Sequence, residues 1–418
     1  MPEIRNTKMP SNSFDPTIAR MDFPILSQIV HGKPLIYFDN AASSQKPVQV
    51  INALSVYYST YHSNVHRGVH HLSGLASNAY DSVRIKTQKY INSESEKEIV
   101  FVRGTTEGIN LITNTFGTQQ VKEGDEIILS EMEHHSNIVP WQILCDKQKA
   151  SIRVIPMNED GELIYEEYIK LFNAKTKLVA MTYVSNSLGT INPIKQFIDF
   201  AHKHNVPVII DAAQAVPHMQ VDVQALNCDF LAFSGHKMLG PTGTGILYGK
   251  LVHLESMPPF HGGGDMIASV SFEKTTYADV PSKFEAGTPN IADVIAFGVA
   301  LDYMSRPVMK EAFEYEENLL NYGTKLLEQI PGLRIIGTAY QKTPVLSFVI
   351  EGLNALDVGM YLDTRGIAVR TGQHCTEPVM KYFGIPGTIR ASFMFYNLKD
   401  EIDQLYIGLI ESIKLLRK

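Results

Sequence analysis

The chain has 418 residues, of which 44% are hydrophobic and 19% are charged, and its formal net charge is -7. This composition is typical of a globular protein with a sizeable core and two or three domains, and its acidic balance gives no reason to expect nucleic acid or a membrane surface as a partner. The first twenty residues lack the apolar stretch of a secretory signal, and no apolar run approaches the roughly 20 residues that span a bilayer, so we expect a cytoplasmic protein.

Short apolar runs alternate with longer amphipathic stretches before residue 291. The runs predict buried strands, and the helical patterns between most of them predict crossovers in a mainly parallel sheet covered on both faces, an α/β fold. These strands are predicted over Glu98–Gly104, Asp125–Ser130, Lys177–Val184, Val206–Asp211, Cys228–Ser234 and Gly243–Gly249. Ligands gather at the carboxyl ends of such strands. Polar residues cluster there, namely Gly104–Thr106, His134, His135, Asn186, Asp211, Gln214 and Ser234–Lys237.

The pattern changes after about Ile295. One helical stretch is predicted from Ile291 to Gln329, followed by four strand-like runs, LRIIG, PVLSFVI, IAVRTG and IRASFMFY, and an amphipathic helix from Lys399 to Lys418. This order predicts a second, smaller α+β domain, with a helix over Asp15–Leu26 packed near it. We therefore divide the chain into an N-terminal segment of residues 1–26, a large domain of residues 27–300 and a small domain of residues 301–418.

Two charged residues lie at the ends of predicted buried strands. Lys237, in SGHK, is either a solvated loop lysine or a partly buried amine that is easily made neutral and nucleophilic. Asp211 is either a helix N-cap or the partner of a protonated heterocyclic nitrogen. A lysine and an aspartate so placed suit pyridoxal phosphate (PLP): the lysine binds it covalently, and the aspartate keeps its ring nitrogen protonated so that the ring acts as an electron sink.

The segment RGTTEGIN predicts a phosphate cradle. Backbone N–H groups and the hydroxyls of Thr105 and Thr106 at a helix N-terminus form an anion site, although threonine before glutamate is also a common capping pattern. Adjacent histidines are poorly placed as zinc ligands, and we expect no metal site. We interpret one of the two histidines, His134 and His135, as stacking on the cofactor ring and shuttling a proton, and the other as structural. The glycines of Gly240–Gly245 indicate a tight turn, since no GK[ST] ends the run.

Nine segments resemble, in order, the SUF-type (group II) cysteine desulfurases, which are fold-type I PLP-dependent enzymes of the class V aminotransferase superfamily. The resemblance covers the chain from about Phe23 to its end and implies a large domain with a mainly parallel seven-stranded sheet. It also implies a smaller α+β C-terminal domain that carries a nucleophilic cysteine. The segments are YFDNAA, HSNVHRGVHHLS, FVRGTTEGIN, EMEHHSNIVPW, DAAQAVPH, SGHKMLGPTGTGILYGK, FEAGTPN, VRTGQHC and IRASFMFYN.

The resemblance implies a role for each matching residue. Lys237 binds the cofactor and later takes the Cα proton of the substrate, while Asp211, Gln214 and His134 contact the cofactor ring. The implied phosphate ligands are Thr105, Thr106, Ser234 and His236, with Thr288 reaching the phosphate of the neighbouring subunit in a homodimer. The implied substrate site consists of Arg390, Asn186, Arg370, His66 and Ala41. An arginine fork suits a carboxylate, although Arg370 alone could equally be a surface arginine.

The three cysteines, Cys145, Cys228 and Cys375, lie far apart with no CxxC pair, which argues against a disulfide framework. By the resemblance, Cys375 attacks the sulfur of L-cysteine as a thiolate, so that alanine leaves and a persulfide remains on Cys375. We expect His374, Arg370 and loop N–H groups to favour the thiolate. Gln373 stands where family members often carry histidine. We expect Cys228 to be a core residue and assign Cys145 no role.

The resemblance also implies a sulfur-acceptor protein of the SufE or SufU type and, through the SUF scaffold, iron–sulfur cluster assembly. Three alternatives remain at this point. A selenocysteine lyase would use the same site to release selenide from L-selenocysteine. A class V aminotransferase would have no need of Cys375, and a cofactor-free scaffold or sulfur-carrier subunit would have no need of Lys237, Asp211 and His134 together.

Overall fold

A computed structural model describes residues 14–417, and a seven-stranded sheet forms its centre. Across the sheet the strands are ordered Ile99–Val102, Gly245–Gly249, Phe230–Ser234, Val208–Asp211, Thr176–Thr182, Glu126–Ser130 and Ser151–Ile155. The strand Gly245–Gly249 is antiparallel to both of its neighbours, and the other neighbouring pairs are parallel. The prediction of a mainly parallel seven-stranded sheet is confirmed.

Both faces of this sheet are covered, which explains why its central strands are continuous apolar runs. Alternate residues of one strand enter different cores; Ile128 packs on one side, and Ile127 and Leu129 pack on the other. One face packs against the helices His71–Tyr90, Ile194–Lys203 and Ile291–Met304, and the other packs against Thr105–Ile112, Val139–Gln148 and Leu251–Ser256.

A second sheet of four antiparallel strands follows toward the C-terminus. Its order is Leu333–Ile336, Val345–Ile350, Thr388–Ser392 and Arg370–Gly372, and it is accompanied by the helices Met309–Leu327, Ala355–Thr364, Glu377–Tyr382 and Lys399–Leu416. A separate core of buried side chains, including Leu346, Phe348 and Leu405, lies between this sheet and its helices.

Two helix predictions are wrong in extent. The stretch predicted from Ile291 to Gln329 is two helices, Ile291–Met304 and Met309–Leu327, and Pro307 lies in the break between them. Proline has no N–H to donate and crowds the preceding turn, so it ends a helix. The helix predicted over Asp15–Leu26 is likewise two elements. A short helix spans Pro16–Arg20, and a separate 3-10 turn, which begins at a proline, spans Pro24–Ser27.

The first described residues pack against the C-terminal part of the chain. Arg20 forms an ion pair of 2.8 Å with Glu401, and the backbone N–H of Phe14 donates to Glu311. Residues 1–13 lie outside the described residues, and with them most of the stretch in which no secretory signal is predicted. Within residues 14–417, the helices are too short or too polar to cross a membrane.

The remaining elements are short. Two-residue strands pair as Ile29–Val30 with Lys33–Pro34 and Ile36–Tyr37 with Ile367–Ala368, and Ile267–Val270 forms a hairpin with Thr275–Tyr277. The other α-helices are Val48–Val56, Thr118–Gln120, Tyr165–Lys170 and Val223–Leu226. Two π-helical turns span Tyr57–Tyr61 and Thr113–Gly117, and 3-10 turns span Glu96–Glu98, His135–Asn137, Gly235–Lys237 and Ser282–Phe284.

Candidate active site

A cavity of about 370 Å³ lies at the edge of the large sheet where its parallel strands end. All of the site residues predicted from the sequence line it, except His66 and Thr288. The large sheet contributes Thr105, Thr106, His134, Asn186, Asp211, Gln214, Ser234, His236 and Lys237, the N-terminal part contributes Ala41, and the small sheet and its loop contribute Arg370, His374, Cys375 and Arg390.

Lys237 ends a 3-10 turn that follows directly from the buried strand Phe230–Ser234. Burial lowers the pKa of its amine to about 8, while the carboxylate of Asp211 acts in the opposite direction. A lysine in this setting deprotonates far more easily than one in water. The interpretation of Lys237 as a solvated loop lysine is therefore wrong.

Asp211 is the last residue of the strand Val208–Asp211 and is 5% exposed. Its Oδ1 accepts the N–H of Ala213 at 2.9 Å, but residues 213–218 form turns rather than a helix, so Asp211 is not a helix cap. Burial raises the pKa of the carboxyl, and the nearby charge of Lys237 lowers it. Beside it, Nε2 of Gln214 donates to the carbonyl oxygen of Ala41 at 2.5 Å.

The helix Thr105–Ile112 begins at the rim of the cavity. The backbone N–H of Thr105 donates to Oγ of Ser234 at 2.9 Å, and its hydroxyl lies 2.8 Å from the same oxygen. The strand Gly245–Gly249 packs directly against Gly104, the residue before this helix: a Cβ on Gly245 would lie 2.5 Å from Cα of Gly104, so a side chain would not fit there. The resulting group of N–H groups and hydroxyls at a helix N-terminus is suited to a phosphate.

Burial lowers the pKa of His134 to about 4, helped by the charge of Lys237, so its imidazole is neutral near pH 7. Its Nδ1 accepts the backbone N–H of Ser136 at 3.1 Å. The proton of the neutral ring is therefore on Nε2. Burial likewise lowers the pKa of His236 to about 4, so this residue can offer an anion a hydrogen bond but no charge.

The loop that carries Cys375 has four residues, between the strand Arg370–Gly372 and the helix Glu377–Tyr382. His374 and Cys375 have φ angles of 55° and 57°, the left-handed region, which costs an L-residue roughly 1–2 kcal/mol. Cys375 is exposed and faces the cavity. The strained backbone therefore presents the thiol at the mouth of the site.

Two hydrogen bonds hold the loop in this conformation. Nδ2 of Asn186 donates to the carbonyl oxygen of His374 at 2.8 Å, and the backbone N–H of His135 donates to that of Cys375 at 2.9 Å. Asn186 was predicted to bind the substrate carboxylate, but its amide nitrogen is already engaged with the loop. The sequence offered no signal for this contact, because its partners are 188 residues apart.

His374 was expected to favour a thiolate on Cys375, but its buried imidazole carries no positive charge near pH 7. Burial, together with the charges of Arg390 and Arg370, lowers the pKa of His374 to about 3. Its Nε2 lies 2.7 Å from the hydroxyl of Thr388. The positive charge near His374 comes from Arg390 and Arg370. Gln373 is exposed, and its backbone carbonyl oxygen accepts the N–H of Thr376.

Both predicted arginines converge on Asp39, a residue of the FDNAA segment that the sequence analysis did not single out. Arg390 donates to Oδ1 of Asp39 at 3.1 Å and to the carbonyl oxygen of Asn186 at 2.9 Å, and Arg370 lies 3.5 Å from the same carboxylate. Among the described residues, Nε of the buried Arg390 has no hydrogen-bond partner. The guanidinium group of Arg390 also lines the cavity.

His66 and Thr288 lie outside the cavity of their own chain. Nε2 of His66 contacts Oδ1 of Asp81 at 3.0 Å, and Thr288 is exposed beside a different surface depression. The lining residues that were not predicted include two polar ones from the large sheet and its loops, Thr182 and Ser136. Both were visible as polar residues next to predicted site residues, one at the end of the apolar run KLVAMT and the other in EHHSN. Within residues 14–417, no group of three or more His, Cys, Asp or Glu side chains is placed to hold a metal ion.

The family model described as "Aminotransferase class-V" matches residues 36–405 of the chain. The chain belongs to this family. Pyridoxal phosphate is therefore its cofactor, and the chemistry of the cavity fits the group: its lining offers an easily deprotonated amine, a buried carboxylate and a helix N-terminus, the types of group that suit an aldehyde, a ring nitrogen and a phosphate.

The chain is also similar to proteins named cysteine desulfurase. It is 51% identical to one from Escherichia coli O7:K1 over 398 residues, 95% of the chain and 98% of that relative. It is 50% identical to one from Synechococcus elongatus over 94% of the chain, but it spans only 63% of that relative's length. The solved structure of the cysteine desulfurase CsdA from Escherichia coli superposes with a TM-score of 0.90 at 36% identity, over 97% of the chain and 100% of CsdA.

Proposed function

We propose that the chain is a cysteine desulfurase that converts L-cysteine to L-alanine and keeps the sulfur on Cys375 as a persulfide. The observation that carries this proposal is that an exposed thiol and an easily deprotonated lysine face one cavity in a protein of the PLP-dependent class V family. A transamination site would need the lysine but not the thiol.

In this proposal the walls of the cavity bind the cofactor through their own groups. Lys237 would hold it covalently, Asp211 would pair with the ring nitrogen, and Gln214 would contact the phenolic oxygen. The neutral ring of His134 would stack on the cofactor ring, and its Nε2–H could move a proton. The phosphate is bound at the helix N-terminus by Thr105, Thr106, Ser234 and His236. Bound PLP supplies an electron sink that makes bonds at the substrate Cα and Cβ labile.

The substrate carboxylate is bound by the guanidinium group of Arg390, which lines the cavity, with Arg370 beside it. Ala41 and Asn186 form the wall next to these arginines. His66, which contacts Asp81, is assigned to the substrate site by family resemblance alone. Because Asp39 holds both guanidinium groups, the carboxylate site is assembled before the substrate arrives.

The chemistry then needs one proton transfer and one nucleophilic attack from this chain. The amine of Lys237 removes the proton from the substrate Cα. The thiolate of Cys375 attacks the substrate sulfur, so that the S–S bond forms as the Cβ–S bond breaks. The electron pair and protons left on the carbon skeleton give alanine. The persulfide on Cys375 then passes to an acceptor.

We further propose a SUF-type role in a cytoplasmic homodimer. Resemblance to the group II enzymes supports an acceptor of the SufE or SufU type that feeds the SUF scaffold for iron–sulfur clusters. Thr288, exposed and outside its own cavity, would complete the phosphate site of the neighbouring subunit. We also retain the division into residues 1–26, 27–300 and 301–418, with the nucleophile on the last of these.

The test is to measure alanine and protein-bound persulfide from L-cysteine in wild type and three variants. Lys237→Ala should release no alanine, and Cys375→Ala should bind L-cysteine but form no persulfide and release alanine at least about 100-fold more slowly. The matched control is Cys145→Ala, because Cys145 is buried outside the cavity and should leave both products unchanged.

Three results would count against the proposal. Full alanine release by Cys375→Ala with L-cysteine, without persulfide, would contradict the role of the thiol. Turnover of L-selenocysteine but not of L-cysteine by Cys375→Ala would instead favour the selenocysteine lyase. Formation of pyruvate rather than alanine would indicate an aminotransferase.

A further inference from the structure

The carbonyl oxygen of His236 is the acceptor for four donors. The backbone N–H of Ser44 donates to it at 3.1 Å and the Oγ of Ser44 at 3.2 Å, the Oγ of Ser43 lies at 3.1 Å and the Nζ of Lys46 at 2.9 Å. A carbonyl oxygen has two lone pairs, so this convergence is unusual. The oxygen belongs to the peptide that joins His236 to Lys237.

Lys46 is the charged member of this group. Its amine also donates to the carbonyl oxygen of Ser44, and within residues 14–417 it forms no ion pair with a carboxylate. Burial lowers its pKa to about 8, so the amine still carries its proton near pH 7. Two backbone carbonyls therefore serve as the partners of a partly buried ammonium group, and hydrogen bonds from a charged donor are the stronger kind.

The same segment holds the Lys237 turn at a second point. Oγ of Ser44 accepts the backbone N–H of Leu239 at 2.8 Å, two residues after Lys237. Within the turn, the N–H groups of Met238 and Gly240 both donate to the carbonyl oxygen of Gly235. Among the described residues, only residues 43–46 donate hydrogen bonds to the carbonyl oxygen of His236.

We propose that Lys46 is a positioning residue for the cofactor lysine. Its ammonium fixes the orientation of the peptide between His236 and Lys237, and so directs the amine of Lys237 toward the aldehyde of pyridoxal phosphate. This inference rests on the proposed role of Lys237. In the step concerned, the amine nitrogen forms a bond to the aldehyde carbon and one water leaves.

The chain contains a matched control for this lysine. Lys342 is also partly buried, its Nζ donates to the carbonyl oxygen of Gly337, and burial lowers its pKa to about 8. It lines a groove beside the helix Met309–Leu327 and takes no part in the cavity. Lys342→Met therefore removes the same kind of hydrogen-bonded amine at a place remote from Lys237.

The experiment follows the covalent capture of PLP by the full-length protein. The holoenzyme is stripped of cofactor with hydroxylamine, PLP is added back, and the return of the visible absorbance band is timed. Small misplacements of a reacting group cost up to about 100-fold in rate, and we expect about a tenfold slower capture in Lys46→Met. Lys342→Met should stay within about twofold of wild type, and Lys46→Arg, which keeps a charged donor, should recover most of the rate.

The thermal unfolding midpoint of each stripped variant separates positioning from a general loss of structure. Similar midpoints for Lys46→Met and Lys342→Met, with slow capture in the first alone, support the inference. Equal capture rates in the two variants, or no rescue by Lys46→Arg, would overturn it. If Lys46→Met does not fold, Ser43→Ala removes a milder donor to the same oxygen and should slow capture by a smaller factor; an unchanged rate there contradicts the proposal. Failure of wild type to regain the band would instead refute the role of Lys237.

Discussion

The protonation state of the Lys237 amine is set by two opposing groups. Burial favours the neutral amine and brings its pKa to about 8, whereas the carboxylate of Asp211 favours the ammonium. The amine can therefore react near neutral pH and can also hold a proton between steps. An exposed lysine, with a pKa of about 10.4, would be almost fully protonated under the same conditions.

The pH dependence of PLP capture should report this balance. Capture requires the neutral amine, so the rate in stripped wild type should rise about tenfold per pH unit up to about pH 8 and then level off. In Asp211→Asn the carboxylate no longer stabilises the ammonium, so the bend should move to lower pH. The control Asp363→Asn alters an exposed carboxylate paired with His31 and should not move it. A bend in Asp211→Asn at or above the wild-type pH would contradict this account.

Among the elements, strand and helix interiors were predictable and their limits were not. Apolar runs identified six of the seven strands, because their side chains are buried on both faces. The strand Ser151–Ile155 was missed, since it lies at the edge of the sheet and its polar and half-exposed residues break the apolar pattern. The amino-acid composition of Gly245–Gly249 also did not indicate that this strand runs antiparallel to its neighbours.

Asp229 ties several elements together at the end of the large sheet that lies opposite the cavity. The carboxylate accepts the N–H of Val208, contacts the imidazoles of His202 and His253, and pairs with Lys250. These groups hold the pKa of Asp229 well below its usual range despite burial. It therefore links the start of the strand Phe230–Ser234 to helices on both sides of the sheet.

Asp229→Asn should lower the free energy of unfolding by roughly 3 kcal/mol near pH 7, because it leaves buried donors without a charged acceptor. The folded-state pKa is depressed, so this stability is present above the unfolded pKa of about 3.9 and is lost as the pH falls below it. Urea denaturation of cofactor-loaded protein should show the difference from wild type shrinking at acid pH. Asp199→Asn, which removes an exposed i,i+4 pair, should change stability by less than about 0.5 kcal/mol, and an equal loss in both variants would exclude the special role.

At the scale of the molecule, the cavity is a product of contacts between parts distant in sequence. Arg390 and Asp39 are separated by 351 residues, and Asn186 and His374 by 188. The sequence could place each residue at the end of its strand or in its loop, and family resemblance could suggest its role. It could not show that Asn186 holds the nucleophile loop or that one aspartate holds two arginines, because no local pattern encodes those contacts.

The position of Thr288 leads to a prediction about subunit cooperation. If Thr288 acts on a neighbouring cavity, a hybrid dimer of Lys237→Ala and Thr288→Ala subunits contains one complete site. Mixing the two variants under exchange conditions should restore about a quarter of wild-type desulfurase activity, since half of the dimers are hybrids with one site each. The control is a mixture of Lys237→Ala with Cys375→Ala. Each of these substitutions inactivates the cavity of its own subunit, so their hybrid dimers have no complete site and should restore no activity. Activity no greater than the sum of the separate variants would mean that Thr288 does not act across subunits.

The four-residue loop around Cys375 is a tether fixed at both ends, by a strand and by a helix. A segment of that length has a contour of roughly 14 Å, so its midpoint can travel at most about 7 Å even when fully extended. The sulfur atom cannot leave the mouth of the cavity on such a tether. If Cys375 carries the proposed persulfide, the recipient has to bring its own thiol to the sulfur on a protruding segment narrow enough to enter the cavity mouth.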